Sequence, residues 1–300
     1  MIVILGPTAS GKTRLAAQLA HQIGGEIISA DSRQVYRGMT IGTGKDLQEY
    51  VVNGKTIPYH LIDILDAGEK YNVHQFQQDA LRILIQISQR GHVPILCGGT
   101  GLYLQALLQT HQFTEIPVND TLRQALEPLS HEELTGRFLE IPSGYSALAD
   151  TSTRKRTIRA IEIATYLNFN PQHVFAKASV PAYQVYGLNP PVEIRRQRIS
   201  QRLHERMQNG LVEEVQVLLN RGILPENLIY YGLEYKFVTQ YLIGDLSFDT
   251  VIQRLETEIH RFAKRQMTYF RKMERDGIAI RWLASDTTPE KWVETIISDL

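Results

Sequence analysis

The 300-residue chain has a single cysteine, Cys97, which excludes an intrachain disulfide and any multi-cysteine zinc site. Its nine histidines are scattered, with no pair at metal-ligand spacing beside that cysteine. An excess of charge of one sign is also missing. The 32 Lys+Arg balance 32 Asp+Glu, which argues against nucleic-acid binding through bulk charge alone. No apolar run approaches the roughly 18 residues of a membrane span. The apolar start, Met1 to Leu5, is closed by Gly6 and Pro7 with no basic segment before it, far short of a secretory leader. The cytoplasm is therefore the expected compartment, with no membrane partner. What remains is 43% hydrophobic and 21% charged. Those values fit a folded globular chain of one large domain, or of one domain with a smaller second one.

Ile2 to Leu5 reads as a buried strand, Gly6 to Gly11 as a loop, and Lys12 starts a helix with Leu15, Leu19 and Ile23 on one face. Glu26 to Ala30 reads as a second strand, and Asn53-Gly54 as a hairpin turn between Val51-Val52 and Thr56-Ile57. Phe76, Ala80, Leu84 and Ile87 mark a helix closed by Gly91, Val93 to Cys97 another buried strand, and Leu102 a further helix start. This alternation predicts an α/β fold with a parallel sheet. Residues 113–182 read as a mostly helical insertion domain punctuated by Pro117, Pro128, Pro142, Pro171 and Pro181. The core is then 1–112 and 183–300. Tyr183 to Leu188 returns to the sheet, and long helices are expected over 193–220 and 247–276.

Gly6-Pro7-Thr8-Ala9-Ser10-Gly11-Lys12-Thr13 satisfies G-x-x-x-x-G-K-[ST] between a strand and a helix. The glycines let the backbone aim several N–H groups at phosphate oxygens. Lys12 neutralises the terminal phosphates, Thr13 can hold Mg²⁺, and the helix N-terminus adds its dipole. The expected fold is a P-loop NTPase-like sheet flanked by helices, and the expected ligand a di- or triphosphate, ATP-type nucleotides included. The N-K-x-D and D-x-x-G of switch GTPases are absent. The strand Val93 to Cys97 ends in Cys where motor ATPases carry Asp. A group transferase remains.

Asp31 follows the second strand, at the carboxyl edge where ligands bind. It is either a base for an attacking nucleophile or a turn-forming residue. Thr100, in Gly98-Gly99-Thr100-Gly101, either reaches the same phosphates or caps the helix at 101. Charge gathers locally in Arg154-Lys155-Arg156 with Arg159, in Arg195, Arg196, Arg198, Arg202 and Arg206 against Glu205, and along 254–275. Such clusters suit phosphate-backbone contact. Tyr36 and Tyr103, beside the two strand ends, are candidates for stacking an extruded base or for the core. The stripe Phe262, Met267, Tyr269, Phe270 and Met273 is expected to be core.

Ala30-Asp-Ser-Arg-Gln-Val-Tyr36, Ile41-Gly-Thr43 with Lys45, His60-Leu-Ile-Asp63 and Gly98-Gly-Thr100 with Leu102-Tyr103 extend the P-loop signature. With Arg156-Thr-Ile-Arg-Ala-Ile-Glu162 and Ala263-Lys-Arg-Gln266, the chain resembles the tRNA dimethylallyltransferases from residue 2 to about 283. The resemblance implies Mg-dependent transfer of dimethylallyl from dimethylallyl diphosphate to N6 of adenosine 37 in the tRNA anticodon stem-loop. It makes Asp31 the general base and Thr100 the partner of the pyrophosphate at the breaking bond. Gly6, Pro7, Thr8, Ala9, Ser10, Gly11, Lys12 and Thr13, with Arg198 and Arg202, would bind diphosphate. Asp31, Ser32, Arg33, Gln34, Thr100, Arg123, Lys155, Arg156, Thr157, Ile158 and Arg159 would meet tRNA, and the enzyme is expected to act as a monomer.

The chain departs from that family's usual pattern in places. The Ala-Lys-Pro after Gly42-Thr43 reads Gly44-Lys45-Asp46, the Asn-Asp before the Arg156 stretch reads Ser152-Thr153, and the Gly-Tyr-Lys-Glu run reads Gly232-Leu-Glu-Tyr-Lys236. Two other chemistries fit the P-loop. A small-molecule kinase would use Asp31 on an acceptor hydroxyl, and an isopentenyltransferase acting on a free adenine nucleotide would not need the insertion or the basic clusters.

Overall fold

The structure, a computed structural model, describes residues 1–175 and 180–300, so positions 176–179 of the expected insertion lie outside the described residues. Strands are β1 (Ile2–Leu5), β2 (Gly25–Ser29), β3 (Val51–Val52), β4 (Lys55–Thr56), β5 (Tyr59–His60), β6 (Val93–Gly98), β7 (Gln184–Gly187) and β8 (Ile280–Trp282). Helices are α1 (Lys12–Ile23), α2 (Val73–Gln89), α3 (Gly101–Leu108), α4 (Asp120–Leu126), α5 (His131–Leu139) and α6 (Arg154–Phe169). They continue as α7 (Val192–Gln208), α8 (Leu211–Asn220), α9 (Pro225–Tyr230), α10 (Leu233–Leu242), α11 (Phe248–Arg275) and α12 (Pro289–Ser298).

Six strands form one parallel sheet in the order β5-β2-β6-β1-β7-β8. The alternation in β1 explains why it is apolar throughout. Ile2 and Ile4 pack with Leu15 and Leu19 of α1 and Val293 and Ile296 of α12. Val3 and Leu5 face Phe76 and Leu84 of α2, Leu104 and Leu107 of α3, and Met267 and Phe270 of α11. A strand covered on both faces reads as a continuous apolar run, and each such side chain contributes about 1.5–3 kcal/mol of burial. The α/β architecture expected from the alternation of elements is present.

Local signals account for the boundaries. Gly24, at φ 65°, ends α1, and an Asn72/Gln75 capping box starts α2. Asn53 and Gly54 both have positive φ, as a tight two-residue hairpin turn requires, joining β3 to β4. The helix expected over 193–220 is two helices, because Gly210 at φ 100° cannot continue α7 and instead begins α8. The short strands β5 and β8 carry too few residues to show a period. Among the described residues, no helix is long and apolar enough to cross a membrane.

The chain divides into two compact units, Met1–Gln109 with Val180–Leu300, and Thr110–Ser179, against the expected division at 113–182. The first holds the sheet. In the second, Leu126, Leu134, Phe138, Ile158, Ile161 and Ala164 form a core between α4, α5 and α6.

Candidate active site

The loop after β1 is shaped by close contacts. A Cβ on Gly6 would sit 2.7 Å from Ser10 Oγ and 3.0 Å from Leu188 O, while Ala9 and Gly11 adopt φ 59° and 88°. The Ser10 hydroxyl is buried against Gly6 with no hydrogen-bond partner. Gln266 of α11 fixes the loop from outside. Its Oε1 accepts from Thr8 N–H at 2.9 Å and its Nε2 donates to Gly99 O at 2.9 Å. One side chain thus joins the phosphate loop to the turn after β6.

That turn meets the end of β2 closely. A Cβ on Gly98 would lie 2.2 Å from Ala30 O, so only glycine allows the approach. Thr100 N–H donates to Ala30 O at 3.3 Å, and Ser32 N–H donates to Thr100 Oγ1 at 3.2 Å. Thr100 occupies the N-cap position of α3 without a side-chain cap bond; its hydroxyl faces β2 instead. Asp31 Oδ1 accepts from Arg33 N–H at 2.9 Å, which fixes the carboxylate with a lone pair spare. Asp31 and Thr100 line the same cleft of about 1160 Å³ as Lys12, Thr13 and the phosphate loop. Lys12 Nζ reaches Pro7 O at 3.5 Å. Cys97, beneath the loop, is buried and its thiol pushed up to about 12 by desolvation, which removes it as a nucleophile.

Of the α7 arginines, Arg198, Arg202 and Arg206 line the cleft, whereas Arg195 is buried and its proton affinity lowered by desolvation. Arg202 pairs with Asp46, and desolvation lowers its proton affinity too. Arg206 meets Glu234 at 3.3 Å, whose carboxyl burial pushes up. The loop 40–46 is held from several sides. Glu214 of α8 accepts from the N–H groups of Thr40, Ile41 and Gly42 at 2.7, 2.8 and 3.0 Å, and from the Tyr235 hydroxyl at 2.6 Å. Lys45, fully buried, donates to Tyr36 O and Asp63. Gln34 donates to Gly44 O at 3.1 Å and accepts from Ser29 Oγ at 2.9 Å.

Ser32, Arg33 and Gln34 line the cleft with Asp31. In the second unit the expected RNA-facing residues divide. Lys155 and Arg156 are exposed, Arg156 pairing with Asp150 at 2.9 Å. Arg123 clamps the buried Glu162 at 2.8 and 2.9 Å. Arg159 meets Glu162 and donates to the carbonyls of Phe113 and Ile116, so both cations organise their own unit. Thr157 and Ile158 of the same stretch turn their side chains inward. Thr157 is buried with its hydroxyl on Thr151 O and Thr153 O, and Ile158 belongs to the core.

The aromatic expectations sort as well. Tyr36 and Tyr103 are core: Tyr103 stacks on Phe76 at 4.4 Å and Tyr36 lies edge-on to Tyr231 at 4.6 Å. Met267, Phe270 and Met273 are buried as expected, but Phe262 and Tyr269 face the cleft, because α11 presents a second side, Ile259, Phe262, Gln266 and Tyr269, at helical spacing. The roles of Glu214, Tyr235 and Asp46 had no sequence signal, since each looks like an ordinary helix or loop polar residue.

The IPP transferase family profile matches residues 34–273. tRNA dimethylallyltransferase 1 of Parabacteroides distasonis is 49% identical over 98% of this chain and 95% of its own length. tRNA dimethylallyltransferase 1 of Porphyromonas gingivalis is 50% identical over 99% and 98%. Among solved structures, the tRNA isopentenylpyrophosphate transferase of Bacillus halodurans shares 31% identity at a TM-score of 0.72, over 99% of this chain and 94% of its own. A eukaryotic dimethylallyltransferase acting on tRNA shares 25% identity at a TM-score of 0.77, over 100% and 79%.

Proposed function

Since the chain belongs to the IPP transferase family, that of the tRNA dimethylallyltransferases, and is therefore a transferase, we propose that it moves a dimethylallyl group from dimethylallyl diphosphate to N6 of adenosine 37 in tRNA. The observation that carries this reading is the meeting of the Lys12–Thr13 phosphate loop with Asp31 and Thr100 in one cleft. The N6 nitrogen attacks C1 of the allyl group, the C1–O bond breaks, diphosphate leaves, and the N6 proton passes to Asp31. Backbone N–H groups of the loop, Lys12 and Arg198 stabilise the charge that develops on the leaving oxygen, and Thr100 donates to that oxygen.

The residues fit Mg²⁺ carried with the diphosphate. Among the described residues no cluster of three or more His, Cys, Asp or Glu could hold a metal, and Mg²⁺ commonly takes one protein oxygen with substrate phosphates. The Thr13 hydroxyl would provide that oxygen; when bound, the ion neutralises the leaving diphosphate. Every residue assigned to the chemical step lies in one unit, in keeping with a monomer, and a tRNA substrate is in keeping with the cytoplasm.

The test is mass spectrometry of unmodified tRNA carrying A36-A37-A38 after incubation with the chain, Mg²⁺ and dimethylallyl diphosphate. One dimethylallyl group on A37 is expected. Unmodified tRNA together with ATP turnover on a small acceptor would replace this reading with a kinase, and prenylation of free AMP alone would replace it with a nucleotide isopentenyltransferase.

A further inference from the structure

Tyr230 ends α9 with 68% of its surface exposed. Its neighbour Tyr231 turns the other way. The Tyr231 ring packs edge-on to Tyr36 and its hydroxyl meets Gly68 N–H and the Glu69 carbonyl. Because Tyr231 is fixed inward, Tyr230 is held outward. The Arg33 guanidinium carbon stands 5.2 Å from the Tyr230 ring centroid, and the Arg33 N–H donates to the Asp31 carboxylate. Arg33 thus links the base of the transfer reaction, through its backbone N–H, to an exposed aromatic ring, through its guanidinium; Arg33, Tyr231 and Gly232 line the cleft and Tyr230 lies beside them.

We infer that Tyr230, backed by Arg33, is a stacking platform for the nucleobase adjacent to the acceptor adenine in an unpaired RNA loop. The inference rests on the RNA acceptor proposed above. An adenine that reaches Asp31 must leave its stack, and its neighbours in the loop then lose a partner. An aromatic face accepts any base, whatever its edge pattern. Arg33 occupies one side of the ring and adds a cation that suits the phosphate between the two nucleotides. The tyrosines beside the strand ends, Tyr36 and Tyr103, are buried and cannot serve. A basic peptide is disfavoured at this ring by Arg33 itself.

The experiment uses the full chain with an anticodon stem-loop RNA carrying 2-aminopurine on the 5′ or the 3′ side of the acceptor adenosine. Wild type is expected to quench the probe at one of the two positions. Tyr230→Ala should lose that quench and bind the RNA about 5- to 150-fold more weakly, while dimethylallyl diphosphate binding is unchanged. Tyr230→Trp should keep both signals. Wild-type affinity and quench in Tyr230→Ala, or a defect confined to kcat, overturns the platform. If the wild-type chain transfers nothing to RNA, it is the proposed function that fails; transfer that is indifferent to Tyr230 sinks this inference alone.

Discussion

Asp31 is a carboxylate placed by its own backbone, one oxygen bound to the N–H two residues on. A base so held keeps its direction without a second side chain, and the residue lines the cleft. Asp31→Ala is expected to lower transfer by about 10²- to 10⁴-fold while calorimetry finds diphosphate affinity unchanged. Lost diphosphate binding would instead make Asp31 a structural residue. Glu26, on the strand that leads to Asp31, does different work. Hydrogen bonds from Arg90, and then from His60 and His92, hold this buried carboxyl at about 2, against an ordinary 4.5. A depressed carboxyl stabilises the fold above its ordinary value and loses that contribution as pH falls through the lowered one. Urea unfolding should therefore show stability falling from about pH 4.5 toward 2. Glu26→Gln should flatten that limb and, at neutral pH, cost about 1.5–3 kcal/mol.

At the scale of elements, two of the departures from the family's usual sequence, Gly44-Lys45-Asp46 and Gly232 to Lys236, meet at Arg206. Asp46 stands at φ 44°, which proline, locked near −65°, cannot adopt, and its carboxylate meets Arg202. Gly44 has φ 63°, and a Cβ there would strike the Arg206 guanidinium at 2.0 Å. Glu234 takes Arg206, and Tyr235 bonds to Glu214. The two runs thus meet twice, through Arg206 between Gly44 and Glu234 and through Glu214 between the 40–42 backbone and Tyr235. Glu214→Gln turns an amide toward backbone donors, and chemical denaturation should report a loss of about 1.5–3 kcal/mol. Steady-state kinetics should show KM for tRNA rising more than KM for dimethylallyl diphosphate, since the loop adjoins Asp31 through Gln34. An equal rise in both would detach this network from the acceptor side.

The same elements show what a sequence can carry. β1, the phosphate loop, α1 and the Asn53-Gly54 hairpin were legible because their signals are local: period, glycine position and turn chemistry. Asp31 and Thr100 were legible as strand-end residues, and the structure adds that Thr100 is bonded to Ala30 and Ser32, the two neighbours of Asp31. Glu214 was not, for nothing within ten residues of it states that its partners lie at 40–42. The break at Gly210 was missed because a glycine inside a helical pattern does not itself state its φ, and the inward turn of Thr157 because packing decides which face of α6 is covered.

For the whole molecule, 32 positive against 32 negative groups set how RNA is held. Arg202, Arg206, Arg123 and Arg159 are engaged by carboxylates within the chain, so an unstructured polynucleotide meets little uncompensated charge. Poly(U) is expected to bind at or above about 10⁻⁴ M at physiological salt, as filter binding would show. Tight binding of poly(U) with a steep salt slope would refute a site selected by shape.

The buried Cys97, with its thiol pushed up to about 12, makes the native chain nearly silent to thiol reagents at neutral pH. A colorimetric thiol assay should count almost none before denaturation and one per chain after it. Any cysteine introduced next to Tyr230 or in the 40–46 loop would then accept a dye alone. The enzyme comes ready for single-site labelling, and RNA docking can be followed in real time without first rebuilding its core.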